Sequence, residues 1–227
     1  MPNMKKSIAF FISFIVTLVF VSSLAFVINA LFSKLSQSTT SNIVLPLLLT
    51  LGLIFFMLFQ GSLKHKWNKK ILKNSQELIQ VKGDKFTFTE KLWIYAIVFL
   101  IYLTPLIRDL SFKSLAMSRI ILFLAAIAVV EFLLRFSQNS IRIIFLNEGI
   151  VVTGMDLRID IPLGEPIHNA SGYYPYSIID GYLPLQDSIQ LFIEFEQGKI
   201  IVKSNNKEVS QISYILRENK VEMRKFV

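Results

Sequence analysis

Residues 117–153, MSRIILFLAAIAVVEFLLRFSQNSIRIIFLNEGIVVT, hold both halves of the fold in one line. Met117 to Phe136 is a mainly apolar run of the length that crosses a bilayer, about 20 residues. From Ile141 the texture turns β-branched and aromatic. Asn147-Glu148-Gly149 then reads as a three-residue hairpin loop, with glycine where a left-handed residue is wanted, and Ile150–Thr153 comes next as the return strand. A spanning helix thus hands over directly to a small β domain.

Toward the N-terminus lie three more apolar stretches: Ser7 to Phe32, Asn42 to Leu63, and the shorter Leu92 to Ile107 flanked by Lys91 and Arg108. Trp93, Tyr95 and Tyr102 sit toward the ends of the third, where amphipathic rings favour the headgroup level. The first stretch has Lys5 and Lys6 in front. Its apolar run is far longer than the roughly 7–15 residues of a signal peptide, so an uncleaved anchor is expected. Orientation is set by lysine and arginine in the short loops. Residues 33–41 hold only Lys34 and residues 108–116 hold Arg108 and Lys113, whereas residues 64–91 hold eight lysines. The expectation is four spans in a cell membrane, with both termini and the long middle loop cytoplasmic.

Composition agrees. Of 227 residues 53% are hydrophobic and 18% charged, against roughly 25% charged in soluble domains. The absence of cysteine excludes disulfide frameworks, thiolate metal sites and Cys nucleophiles. The formal charge of +8 is unevenly placed. Residues 138–227 hold nine Lys/Arg against eleven Asp/Glu, and residues 1–137 hold fifteen against five. The basic surplus belongs to the membrane half, so nucleic acid is not an expected partner.

The expected division is a four-helix transmembrane region over 1–137 and a small α+β domain, mostly antiparallel β, over 138–227. About five strands can be placed, including one near Leu157–Ile161, one within Tyr174–Leu183, and the alternating Ile189, Leu191, Ile193 and Phe195. Gln197-Gly198 turns the chain into Lys199–Lys203. A helix over about 206–220 should open on an Asn205 cap with Glu208 three residues on, burying Val209, Ile212 and Leu216.

Candidate functional residues fall into three groups. Lys64, Lys66, Trp67, Lys69, Lys70 and Lys73 could form an interfacial helix that binds anionic lipid headgroups, or serve only to fix topology. Glu131 and Arg135, four apart, should pair on one helix face. A snorkelling interfacial pair explains them more economically than an ion pathway, which leaves a small transporter or channel subunit as the alternative. Tyr173, Tyr174, Tyr176 and Tyr182 are candidate aromatic contacts for a protein partner, or half-buried strand residues. His65 and His168 stand apart with no ligand spacing, so no metal and no cofactor is expected. Asp156, Asp160, Glu165 and Asp180 read as scattered, solvated acids. Thr87 with Glu90 reads as a capping box opening the third span.

The segment Ile143-Ile144-Phe145-Leu146-Asn147-Glu148-Gly149-Ile150, then Pro175-Tyr176 with Ile179, then the hairpin 188–203 and the helix after it, resembles bacterial pleckstrin-homology-like domains attached to membrane helices. The resemblance covers about 85 residues of sequence. It implies a PH-like sheet closed by a C-terminal helix and a binding or assembly role, with no catalytic residues to carry over.

Overall fold

The structure is a computed structural model that describes residues 2–31, 34–109, 116–161, 167–194 and 198–224. Lys113, Glu165, Phe195 and Gln197, named above, lie outside the described residues. Four helices are long and apolar enough to cross a membrane: α1 (Pro2–Leu31), α3 (Leu45–Leu72), α4 (Phe88–Asp109) and α5 (Met117–Ser140). A single turn, α2 (Gln37–Thr39), capped by the Ser36 hydroxyl, runs through a π-helical turn, Thr40–Val44, into α3. Pro46 follows directly on the π-helical turn, at the start of α3.

Helices α3, α4 and α5 share one apolar core. Ile94, Val98 and Tyr102 recur every fourth residue on α4, Ala126, Val130 and Leu134 on α5, and both rows meet Leu53 and Met57 of α3. Helix α1 lies along α3, with Phe20 stacked on Phe55 at 4.2 Å and Phe10 edge-on to Phe56 at 5.4 Å. Large apolar side chains such as Phe26 and Phe132 face outward, as lipid contact requires.

The long basic loop is where sequence and structure part most. Helix α3 continues to Leu72 without a break. Its 28 residues span about 42 Å at 1.5 Å each, so it outruns a hydrocarbon core of about 30 Å. No proline separates Leu63 from Leu72, and the residues there are mostly good helix formers. Residues 64–72 are therefore the protruding end of a span, not a separate headgroup helix. The chain then turns at Asn74 and Ser75 and forms a strand, β1 (Glu77–Lys82), before α4 begins.

That strand belongs to the β domain. β1 pairs antiparallel with β2 (Arg142–Leu146), Val81 opposite Ile143. β2 pairs with β3 (Gly149–Thr153) and β3 with β4 (Gly172–Pro175). The hairpin α4–α5 is thus inserted between the first two strands of one sheet. The sheet extends beyond the 138–227 boundary by a strand that hydropathy hides inside a basic loop. A second sheet holds β5 (Ile179–Pro184), β6 (Ser188–Ile193) and β7 (Lys199–Lys203). The described residues therefore hold seven strands rather than five. A 3-10 turn, Tyr176–Ile178, breaks the expected Tyr174–Leu183 strand and passes the chain from sheet to sheet. Residues 157–161 form no strand.

The two sheets close on each other. Ile143, Phe145, Ile150 and Val152 face Ile189, Leu191, Ile200 and Val202 across the interior, and Ile212 and Leu216 of α6 (Asn206–Glu218) complete it. The expected capping box is present: Asn205 accepts from the Glu208 N–H, and Glu208 accepts from the Asn205 N–H. The opposite face of the first sheet is covered too. Ile144, Leu146 and Val151 pack against Ile71 and Leu72 at the end of α3, so β3 is buried along its whole length.

Where α3 passes the β domain it carries Gly61. A Cβ there would stand 2.9 Å from Leu157 Cδ2 and 3.0 Å from the Asp156 carbonyl oxygen, and the backbone contact cannot yield cheaply. Gly61→Val should lower the stability of the detergent-solubilised protein by about 1–3 kcal/mol, measured by a denaturant titration. Unchanged stability would mean that the 155–159 segment does not close on α3.

Candidate functional site

After β3 the chain turns back toward the helices. Gly154, at φ +128°, makes the turn, and a Cβ there would lie 2.5 Å from the Ser140 carbonyl oxygen. Two hydroxyls in the last turns of α5 hold the next residues. Ser140 accepts from the Met155 N–H at 2.8 Å, and Ser137 accepts from the Leu157 N–H at 3.0 Å. Leu157 is fully buried in the three-helix core, with Met155 and Ile159 beside it.

The alternate residues carry charge. Asp156, expected to be a solvated acid, is 0% exposed, and Arg158 beside it is 1% exposed. Arg158 meets Asp156 bidentately, Nε to Oδ1 at 2.9 Å and a terminal N–H to Oδ2 at 3.0 Å. The same guanidinium donates to Glu90 Oε1 at 2.9 Å and to the His168 and Asn169 carbonyls at 2.7 and 3.0 Å. All five of its donors are used. The Phe86 ring lies 4.1 Å below its centre. Glu90, the first-turn residue of α4, also accepts from the Thr87 and His168 N–H groups, so the capping box at Thr87 is one edge of this cluster. Asp156 further accepts from the Ser171 N–H at 3.2 Å.

Burial alone pushes the Asp156 carboxyl up, but the charges of Arg158 and Lys64 and the hydrogen bonds it accepts outweigh burial and hold it well below the usual carboxylate range. Burial acts against the charged Arg158 as well, and Asp156 more than offsets it. The cluster joins the start of α4, the segment after β3 and the residues leading into β4. It binds the β domain to the helices.

Polar residues of α3 line the same junction. Lys64 is 4% exposed and faces Asp160 at 4.0 Å. Asn68 is buried and donates to the Val152 carbonyl and the Ser171 hydroxyl at 2.9 and 2.8 Å. Lys64 is therefore an internal group, not a lipid contact. The other candidates divide differently: Lys66, Lys69, Lys70 and Lys73 are exposed and recur at helical spacing on one face, while Trp67 is half-buried. The helix has one buried polar stripe and one solvated lysine stripe.

Glu131 and Arg135 pair at 2.8 Å as expected. Glu131 also accepts from the Tyr95 hydroxyl and lies 3.6 Å from Lys91 Nζ, so the group clamps α4 to α5. At the opposite end of the helices Arg119 donates to the Tyr102 and Ser41 carbonyls at 3.1 and 2.9 Å, which fastens α5 to α4 and to the π-helical turn.

The tyrosines expected as partner contacts are interior groups instead. Tyr174, Tyr176 and Tyr182 are 1%, 7% and 0% exposed. Tyr174 and Tyr176 donate to the Ala170 and Leu146 carbonyls, and burial pushes the Tyr176 phenol well up. They belong to the core because each alternates inward on a strand or turn between two sheets. Tyr173 packs beside Ile71 and Leu72. Among the described residues of the domain the exposed aromatic is Tyr214 on α6, at 61%, a position that no motif in the sequence marks. Among the described residues no three His, Asp or Glu side chains are grouped to hold a metal ion.

Arg158→Met should cost about 3–5 kcal/mol, because it leaves Asp156 charged and alone in the interior. Adding Asp156→Asn to that variant should recover a large part of the loss. A single variant as stable as the parent would remove the cluster from its role. The depressed carboxyl also sets a pH dependence. Its contribution is complete above about 3.9, the unfolded value, and is lost as pH falls through the lower folded one. Stability from this group should stay flat between pH 8 and pH 5 and fall only under stronger acid. Comparison with family models, curated proteins and solved structures finds no match to the chain, so the functional reading rests on this geometry.

Proposed function

We propose that the chain is a non-enzymatic, membrane-anchored binding and assembly module whose PH-like domain is a fixed platform at the cytoplasmic face of the cell membrane. The observation that carries this is the buried Asp156–Arg158–Glu90 cluster. A tethered domain that searches for ligands needs a loose linker. This domain has a desolvated ionic anchor, a strand drawn from between α3 and α4, and a sheet face covered by the end of α3 itself.

The PH-like assignment is supported by strand number and closure. Four antiparallel strands and three more, ended by an amphipathic helix, match the seven strands and closing helix of a PH barrel. The orientation is supported by charge. Lys66, Lys69, Lys70 and Lys73 lie at the end of α3 that meets the sheets, and basic residues favour the cytoplasmic side. That same stripe suits anionic headgroups. The transporter alternative gains nothing from Glu131, whose carboxylate is engaged by Tyr95, Arg135 and Lys91.

The protein-partner surface in this reading is the solvent side of α6, around Tyr214. The cysteine-free sequence makes orientation directly measurable. Ser36→Cys should react with a membrane-impermeant maleimide on intact cells, and Glu222→Cys only after permeabilisation. The reverse pattern would invert the topology. A photo-crosslinking residue at position 214 should give a discrete adduct in cells, and one at the outward Phe26 position should not. Equal or absent labelling at 214 would sink the partner reading.

A further inference from the structure

Neither the ionic anchor nor the lysine stripe uses a groove of the β domain that several cations line. It is an open cleft of about 740 Å³ where α4 enters and α5 leaves the β domain. Its walls come from the end of β1, the last turn of α5, the start of β2 and the junction of β7 with α6. Four cations line it: Lys82, Lys85, Arg142 and Lys203. They face two carboxylates, Asp187 and Glu208, and Glu208 is occupied by the Asn205 N–H at 3.0 Å. Lys203 also reaches Asp84 at 3.0 Å. The lining stays net positive.

Ser204 supplies an independent observation. It lines the groove, is 8% exposed, and its hydroxyl has no hydrogen-bond partner within the protein. A buried hydroxyl left without a protein partner is costly, so such a group is normally met by ordered water or by a bound polar group. It stands two residues before the first residue of α6, whose N-terminal end favours negative charge. A hydroxyl donor, four cations and a helix start converging on one open cleft are the donor set of a phosphate.

The geometry points to this groove as a binding site for the phosphate-bearing headgroup of an anionic lipid. Position selects the lipid over a soluble phosphate compound. Gln138 and Asn139 in the lining belong to the last turns of a spanning helix, and Lys85 stands three residues before the first residue of the next. Phe88 and Phe136, within three residues of lining positions, are 69% and 53% exposed and offer apolar surface to acyl chains. The groove therefore opens at headgroup depth. A lipid seated there would touch β1, α5, β2 and β7 together and brace the inserted hairpin against both sheets.

This assignment deepens the platform reading and can be separated from it. Full-length protein in a neutral detergent would be titrated with dihexanoyl phosphatidic acid, dihexanoyl phosphatidylcholine and inorganic phosphate, following the thermal unfolding midpoint. Phosphatidic acid should raise the midpoint and phosphatidylcholine should not. Lys82→Gln with Lys85→Gln, both outside the apolar core, should weaken the response on the order of tenfold or more. Ser204→Ala should weaken it in the same direction, while Arg217→Gln with Lys220→Gln, at the far end of α6 and just beyond it, should leave it alone. An equal response to inorganic phosphate would assign the groove to a soluble anion and overturn the lipid. Equal loss in the α6 variant, or none in the groove variants, would overturn the site itself. Loss of the position 214 adduct with the lipid response intact would fell the platform reading and leave the groove standing.

Discussion

The placement of the Arg158 guanidinium is the constraint on which the rest of the structure depends. A buried cation is tolerated only when its charge and every donor are matched, since desolvation costs several kcal/mol per ion. Here the match needs Asp156 two residues before it, Glu90 from the first turn of α4, and the carbonyls of His168 and Asn169 ahead of β4. Three segments far apart in sequence must arrive together. Asn169 adopts a strained backbone to do so, at φ 51°, and its side chain then bonds both backbone groups of Ile201. The cluster thus sets the position of β4 relative to β7 as well as of the domain relative to the helices.

The inserted hairpin gives that constraint its mechanical meaning. β1 and β2 pair along their length although α4 and α5 intervene. Any tilt of the helical hairpin would shear this pair, and a strand register is costly to shift because one step exchanges the buried and exposed faces. Val81 and Ile143 sit opposite each other with 5% and 0% exposure. Helix α3 also covers the outer face of β2 and β3, the side that an isolated β-sandwich would show to water. The β domain and the helices form one unit with two apolar cores that meet at a polar seam.

The four spans, the hairpin at Asn147–Gly149, the alternating β6 and the capped α6 are all legible in the sequence, because each is declared by local periodicity or by caps. The Glu131–Arg135 pair is legible for the same reason, as an i,i+4 spacing. The Arg158 cluster is not. Met155-Asp156-Leu157-Arg158-Ile159-Asp160 alternates apolar and charged residues, which is the pattern of a half-exposed strand. The segment is instead extended chain whose apolar side enters a helical core and whose charged side is buried by distant partners. Strand β1 escapes notice because Glu77–Lys82 lies among lysines and gains its burial only from β2. Lys64 reads as a headgroup contact because a helix leaving a membrane ordinarily meets water, whereas here a β-sheet meets it first. In each case the deciding contact is non-local.

The helices are fixed at both ends by arginine. Arg158 holds the start of α4 to the β domain, and Arg119 at the far end holds α5 to the carbonyls of Tyr102 and Ser41. Between these ties the shared core is mainly apolar, with a Thr50–Tyr102 hydroxyl contact at 2.9 Å and the buried Gln60 of α3 as polar groups within it. Hydrophobicity does not drive helices together within lipid, so such bundles depend on packing and polar ties. Polar ties at the two rims, where water competes, must therefore be specific and multiply bonded to hold. Helix α1 shows the contrast: its contacts with α3 are ring stacks and close packing at Gly52. The α3–α4–α5 unit, tied at both rims, is then the frame that orients the β domain, and α1 packs along α3 through these apolar contacts.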